Sequence, residues 1–124
     1  MIAVDTSTFV AYLEGASGLD VEYFAGALTG NDLVLPAIVV TELLSDPGPR
    51  KLLEPQIERL TMLPILEGYW ERAGGARRKL RTLGLRAKIA DALIAQSCID
   101  HGVALITRDN DFRHFEKHCG LKLA

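Results

Sequence analysis

Four acidic residues lie where acids are costly. Asp5 ends the apolar run Ile2-Ala3-Val4, and Glu42 lies inside Ile38-Val39-Val40-Thr41-Glu42-Leu43-Leu44. Asp91 lies inside Ile89-Ala90-Asp91-Ala92-Leu93-Ile94-Ala95, and Asp109 follows the run Val103–Ile106 by three residues. A carboxylate beside a core needs a cation or strong hydrogen-bond donors. Several brought together repel one another, and a divalent metal between them relieves that repulsion. Oxygen ligands with no His or Cys among them suit Mg²⁺ or Mn²⁺ rather than zinc. Such a site lowers the pKa of a bound water and stabilises charge on a phosphate undergoing in-line attack. Bland roles exist for three of the four. Asp5 can cap a helix, Asp91 can favour an early helical turn through the macrodipole, and Asp109 can make an Asx turn. Glu42, in a helix apolar on nearly every side, is the hardest to explain that way. Asp20, Glu22, Glu54, Glu58, Glu67 and Glu71 read instead as solvated faces.

The elements that must position these acids follow from the hydrophobic pattern. Apolar runs predict strands at Ile2–Val4, Leu33–Leu35 and Val103–Ile106, a short edge strand over Met62–Ile65 because of Pro64, and a final edge strand at Leu121–Leu123. Helices are predicted from the N-cap types Thr6 and Ser7 to Leu13, then over Asp20–Leu28 and Ala37–Ser45. After a turn at Asp46–Pro49, further helices are predicted over about Arg50–Leu60, Gly68–Leu83 and Lys88–His101. The pair Gly74-Gly75 weakens the continuity of the Gly68–Leu83 helix. Strands alternating with helices predict an α/β fold: a mostly parallel central sheet of about four to five strands, flanked by helices in a three-layer sandwich. Residues 1–124 are expected to form one domain. Ligands of such sheets bind beyond the carboxyl ends of the strands, where Asp5 and Thr107-Arg108-Asp109 fall.

Four segments, in order, resemble the acidic motifs of PIN domains. They are Asp5-Thr6-Ser7, Thr41-Glu42-Leu43, Asp91-Ala92-Leu93-Ile94-Ala95 and Leu105-Ile106-Thr107-Arg108-Asp109-Asn110-Asp111-Phe112. The resemblance spans essentially the whole chain, and its size is similar to that of the VapC toxins of toxin–antitoxin pairs. It implies an endoribonuclease dependent on Mg²⁺ or Mn²⁺, with Asp5, Glu42, Asp91 and Asp109 as the acidic cluster. Thr6, Ser7, Thr107 and Asp111 would support those acids or their waters. It further implies a homodimer and a VapB-type antitoxin that wraps the toxin and brings a cation to the acids.

The 124 residues carry 14 basic and 16 acidic side chains, a net charge of -2 that excludes a basic coat over the whole surface. Setting the four acids aside leaves 14 basic against 12 acidic. Seven of the 14 basic residues lie between Glu71 and Asp91, with no acid among them. This stretch reads either as a solvated helix face or as a local phosphate-binding surface. Beside a metal–carboxylate site the second reading is preferred, and Arg77, Arg78, Lys79, Arg81, Arg86 and Lys88 are assigned to RNA contact. Tyr69 and Trp70 have the ring types that stack on bases, but packing in the helical core or a dimer is the preferred reading. Cys98-x-x-His101 and His114-x-x-x-His118 are loosely finger-like, but Cys98 falls on an apolar helix face and His101 near a helix C-terminus.

Composition is that of a folded soluble protein, 48% hydrophobic and 24% charged. No apolar run approaches the ~20 residues of a membrane span, and the N-terminus lacks a basic leader, so a cytoplasmic location with reduced thiols is expected. Two other functional classes share parts of this pattern. A phosphatase or phosphotransfer domain also places an Asp after its first strand, but Ser7 stands where a haloacid-dehalogenase-type enzyme needs a second Asp. A catalytically silent interaction domain could keep the same fold, and the intact acids argue against it.

Overall fold

The computed structural model describes residues 1–47 and 53–124. Three of its four strands arise where short apolar runs are largely buried, and the fourth, at the sheet edge, is exposed. Strand β1 (Ile2–Val4) is central and pairs in parallel with β2 (Leu33–Leu35) and β4 (Ala104–Ile106). Strand β3 (Thr61–Met62) adds to β2, giving a four-stranded parallel sheet ordered β3-β2-β1-β4. Registers Ala3↔Val34, Ala3↔Leu105 and Val4↔Ile106 align the strand ends. Because all strands run one way, Asp5, Pro36 and Thr107 leave the sheet at the same edge. The Asp5 N–H donates to the Ile106 carbonyl at 3.1 Å, which continues the ladder to the first acid.

Seven helices flank the sheet among the described residues: α1 (Thr6–Leu13), α2 (Leu19–Thr29), α3 (Ala37–Leu44), α4 (Glu54–Glu58), α5 (Tyr69–Thr82), α6 (Ile89–His101) and α7 (Phe112–Cys119). Helix α1 packs on α2 and α3, while α5, α6 and α7 pack on one another and α3 also meets α6. The core between them is large and apolar: Phe9, Phe24, Leu43, Leu80, Ile94 and Phe115 are almost wholly buried. Each such side chain stabilises the fold by about 1.5–3 kcal/mol relative to exposure.

Most expected elements are present within a residue or two. The expected Met62–Ile65 strand is shifted to Thr61–Met62, because the ladder ends when Leu63 donates to Leu35 O at 2.8 Å, before Pro64. Leu121–Leu123 contributes a single parallel bridge, Leu105↔Leu123, rather than a strand. Helix α5 runs unbroken through Gly74-Gly75. Two internal glycines cost about 1 kcal/mol each relative to alanine, and burial of Tyr69, Ala73 and Leu80 against α6 and α7 offsets this. Helix α7 has no counterpart in the sequence reading; its buried stripe is only Phe112 and Phe115, with rings 6.2 Å apart. The second half of the expected turn at Asp46–Pro49 and the start of the expected Arg50–Leu60 helix lie on residues 48–52, outside the described residues; α4 covers the later part of that helix.

Candidate active site

Asp5 caps α1 where β1 ends. It stands in extended conformation between β1 and α1, only 2% exposed, and its Oδ1 accepts the Thr8 N–H at 3.0 Å. Its Oδ2 accepts the hydroxyls of Ser7 at 2.7 Å and Thr107 at 2.6 Å. Burial pushes this carboxyl above its ordinary value, and the bonds from Thr107, Thr8 and Ser7 oppose the shift.

Asp91 enters from the first turn of α6 and is 8% exposed. Its Oδ2 is buried without a hydrogen-bond partner. Burial first, then the charge of Asp109, push its pKa up to about 6; Lys88 opposes the shift, and Asp111 and Asp5 add to it. The five-residue turn from Thr107 to Asp111 carries the facing acids. Within it the Asp109 N–H donates to Thr107 Oγ1 at 3.0 Å and the Asp111 N–H to Asp109 Oδ1 at 2.9 Å. The Asx turn at Asp109 and its place in the site are thus compatible roles for one side chain.

Asp91, Asp109 and Asp111 each bring a carboxylate oxygen within 4.8 Å of the other two. The family resemblance ranked Asp111 as a supporting residue, yet the turn folds it into this closest group. Glu42 lies outside that group, on α3, where its Oε1 accepts the Thr6 hydroxyl at 2.6 Å. Thr6 is the residue after Asp5, so Glu42 is tied to the same strand end. Thr6, Ser7 and Thr107 all donate to acids.

An all-oxygen donor set of three converging carboxylates, one of which keeps a buried oxygen without a hydrogen-bond partner, fits a hard divalent cation. Cys98, His101, His114 and His118 form no comparable group among the described residues. Cys98 is wholly buried in α6, and His101 Nε2 lies 2.8 Å from the Pro64 carbonyl.

The basic stretch divides into held and free cations. Arg72 forks onto Asp100 at 2.9 and 2.6 Å, Arg77 Nε donates to Ala87 O at 2.7 Å, and Lys79 Nζ donates to His118 O at 2.7 Å. Arg86 Nε lies 3.8 Å from Asp111 Oδ2, at the edge of the acids. Arg77, Arg78 and Arg81 line an open groove on α5 with Gly74 and Thr82. Tyr69 is buried and donates its hydroxyl to Leu93 O, whereas Trp70 is 61% exposed and meets Tyr69 edge-on. Asp20, read from sequence as solvated, is instead held by Arg108 and Thr8.

Residues 2–118 match the family model of the PIN domain. The chain is 34% identical over 113 residues to ribonuclease VapC4 of Mycobacterium tuberculosis, an overlap of 87% of this chain and 85% of that protein. Its fold is similar to solved structures at lower identity. One is VapBC2 from Rickettsia felis bound to a promoter DNA fragment, with a TM-score of 0.76, 20% identity, and coverage of 100% of this chain and 98% of that one. Another is FitAcB from Neisseria gonorrhoeae, with a TM-score of 0.73, 22% identity, and coverage of 99% and 96%.

Proposed function

The chain belongs to the PIN domain family, and from that premise we propose that it is a metal-dependent endoribonuclease, the toxin of a VapBC-type toxin–antitoxin pair. The observation that carries this reading is the convergence of Asp91, Asp109 and Asp111 at the strand ends, with Asp91 Oδ2 buried and unpartnered. Kinship to a ribonuclease supports the substrate class.

Asp5, Glu42, Asp91 and Asp109 are assigned to hold Mg²⁺ or Mn²⁺, and the position of Asp111 argues for including it. A bound divalent cation would supply Lewis-acid stabilisation of phosphate charge and a water of lowered pKa. The chain supplies the rest. Thr107 and Ser7 fix the Asp5 carboxylate, and Thr6 fixes Glu42. Arg77, Arg78, Lys79, Arg81, Arg86 and Lys88 provide positive potential along the approach from α5 to α6, which draws an RNA backbone toward the acids. We assign residues 1–124 to one domain acting in the cytoplasm as a homodimer, silenced by a VapB-type antitoxin. That assignment predicts a dimer on size-exclusion chromatography, and a monomer at high concentration would overturn it. No helix among the described residues is long and apolar enough to cross a membrane.

Incubating the purified protein with RNA over a Mg²⁺ or Mn²⁺ titration tests the reaction. Endonucleolytic products should appear with metal, vanish with chelator, and be absent for Asp91→Asn. Cleavage that persists in chelator overturns the metal assignment, and cleavage by Asp91→Asn at the wild-type rate overturns the site.

A further inference from the structure

Arg108 and Asp20 stand outside the carboxylate group yet close a ring of contacts on it. Arg108 Nε donates to Asp20 Oδ2 at 2.8 Å and Nη2 donates to Asp20 Oδ1 at 3.1 Å, a side-on fork. Nη2 also donates to the Ser17 carbonyl at 3.0 Å. Thr8 Oγ1 donates to Asp20 Oδ2 at 2.9 Å, and the same Thr8, wholly buried, gives its N–H to Asp5 Oδ1 at 3.0 Å. Thr107, the chain neighbour of Arg108, donates to Asp5 Oδ2 at 2.6 Å. The ring therefore runs from Asp5 through Thr8, Asp20, Arg108 and Thr107 back to Asp5.

A second observation concerns the backbone under this pair. Gly18 has φ +144, and a Cβ there would lie 2.6 Å from Asp20 Oδ1 and 3.2 Å from Arg108 Nη2. The main chain thus passes directly against the fork in a conformation that favours glycine, and a Cβ here would force the fork atoms to shift. The Asp20 side chain is 13% exposed and that of Arg108 37%. Bidentate geometry in a partly shielded place separates this pair from an ordinary surface bridge. The turn it grips is short and lies at the surface, where backbone opens readily unless tied to another element. Beyond the hydroxyl of Thr107, the Arg108 fork is its side-chain tie to the start of α2.

We infer that Arg108 and Asp20 are positioning residues for the carboxylate site: their fork fixes the Thr107–Asp111 turn, and through it the set of Asp5 and the approach of Asp109 and Asp111 to Asp91. This deepens the proposed nuclease reading, but its structural half stands without it.

The test uses Asp20→Asn, Arg108→Ala, their combination, Arg108→Lys and Gly18→Ala in the full chain. In metal-free protein, amide exchange should quicken about tenfold or more at Asp109 and Asp111, whose N–H groups donate within the turn, while the Leu105 amide in β4 keeps its rate. Mn²⁺ affinity by calorimetry should weaken about 10–100-fold, the usual effect of removing an outer partner of a metal ligand. RNA cleavage should lose kcat with KM held. The double variant should be no worse than the worse single one, because one interaction is removed twice. Arg108→Lys, which keeps the charge and loses the fork, should recover only part. Uniform quickening of exchange, or additive losses, would show an ordinary stabilising pair and overturn the inference. Unchanged exchange at Asp109 and Asp111 overturns it as well. If the wild type neither binds Mn²⁺ nor cuts RNA, the nuclease reading falls, and the exchange data alone still decide the positioning role.

Discussion

Asp91 and Asp100 lie on the same helix and have opposite electrostatics. Asp91, at the start of α6, is buried among other acids with one oxygen unpartnered, and its pKa is pushed up to about 6. Asp100, near the end of α6, accepts a fork from Arg72 and a bond from Gln96, and the Arg72 bond holds it below the usual carboxylate range. Asp5 shifts in the direction of Asp91, and Asp20, gripped by Arg108, in the direction of Asp100. Carboxylates paired with arginine fasten elements together. Asp5 and Asp91, buried at the strand ends with no arginine fork, hold their charge at a cost in stability, and that is where chemistry is assigned.

The largest effect that could break this contrast is on cleavage. Removing an outer partner of a metal ligand costs about 10–100-fold, so loss of a direct ligand in Asp91→Asn should exceed about 100-fold. Asp100→Asn should leave RNA cleavage within about twofold and instead lower the melting temperature, by something on the order of 3 °C. Single-turnover rates and thermal melts of the two variants check both halves. Equal losses of activity would erase the distinction.

Divalent metal sharpens it next. An ion that binds only the folded chain stabilises it by about 2.7 kcal/mol at 100 times its dissociation constant. Mg²⁺ or Mn²⁺ should therefore raise the melting temperature of the wild type and of Asp100→Asn by several degrees, and that of Asp91→Asn hardly at all. A similar rise in all three would place the ion elsewhere.

The two kinds of acid also predict opposite pH dependences without metal. For Asp91 the ordinary value is 3.8 and the folded value about 6. Between these the unfolded chain has lost a proton that the folded chain keeps, so stability falls as pH rises from about 4 to about 6. For Asp20 and Asp100, whose folded values lie below 3.8, the contribution is complete above that value and is lost as pH falls through the folded value. Urea midpoints of metal-free protein should show Asp91→Asn gaining on the wild type between pH 4 and 6.5. Asp100→Asn should fall behind above pH 4 and converge with the wild type in acid. Saturating metal should reverse the Asp91 trend, because the ion competes with protons.

How much of this was legible in the sequence depends on the range of the interaction. Strands β1, β2 and β4 were readable almost to the residue, because continuous apolar runs buried on both faces leave no other use for Ile2–Val4 or Leu33–Leu35. Asp5, Asp91 and Asp109 stand out in the sequence because each interrupts or follows such a run. Helix α7 was not readable, since only Phe112 and Phe115 mark its buried face amid Arg, His, Glu and Lys. The rank of Asp111 was not readable either; it rests on how the Asp109 side chain folds the turn. Asp20 and Arg108 are 88 positions apart, and nothing local announces that the first is held by the second. Convergence across the sheet is decided by tertiary packing, not spacing.

The same contrast extends, with smaller effects, to the cations of α5. Arg72 is engaged by Asp100 and the Glu67 carbonyl, whereas Arg78 and Arg81 line the open groove. If the free arginines meet the RNA backbone, each replacement by alanine should raise KM a few-fold with kcat unchanged. It should also reduce the slope of log affinity against log salt by about 0.7 per lost phosphate contact on a single strand. The fold should not notice, because no core contact is removed. Arg72→Ala should do the reverse, lowering the melting temperature while leaving the salt slope intact. Measuring RNA affinity across a salt series for the three variants separates the two roles. Equal slopes for Arg72→Ala and Arg78→Ala would mean that the pairing of a cation in the fold does not predict its part in binding.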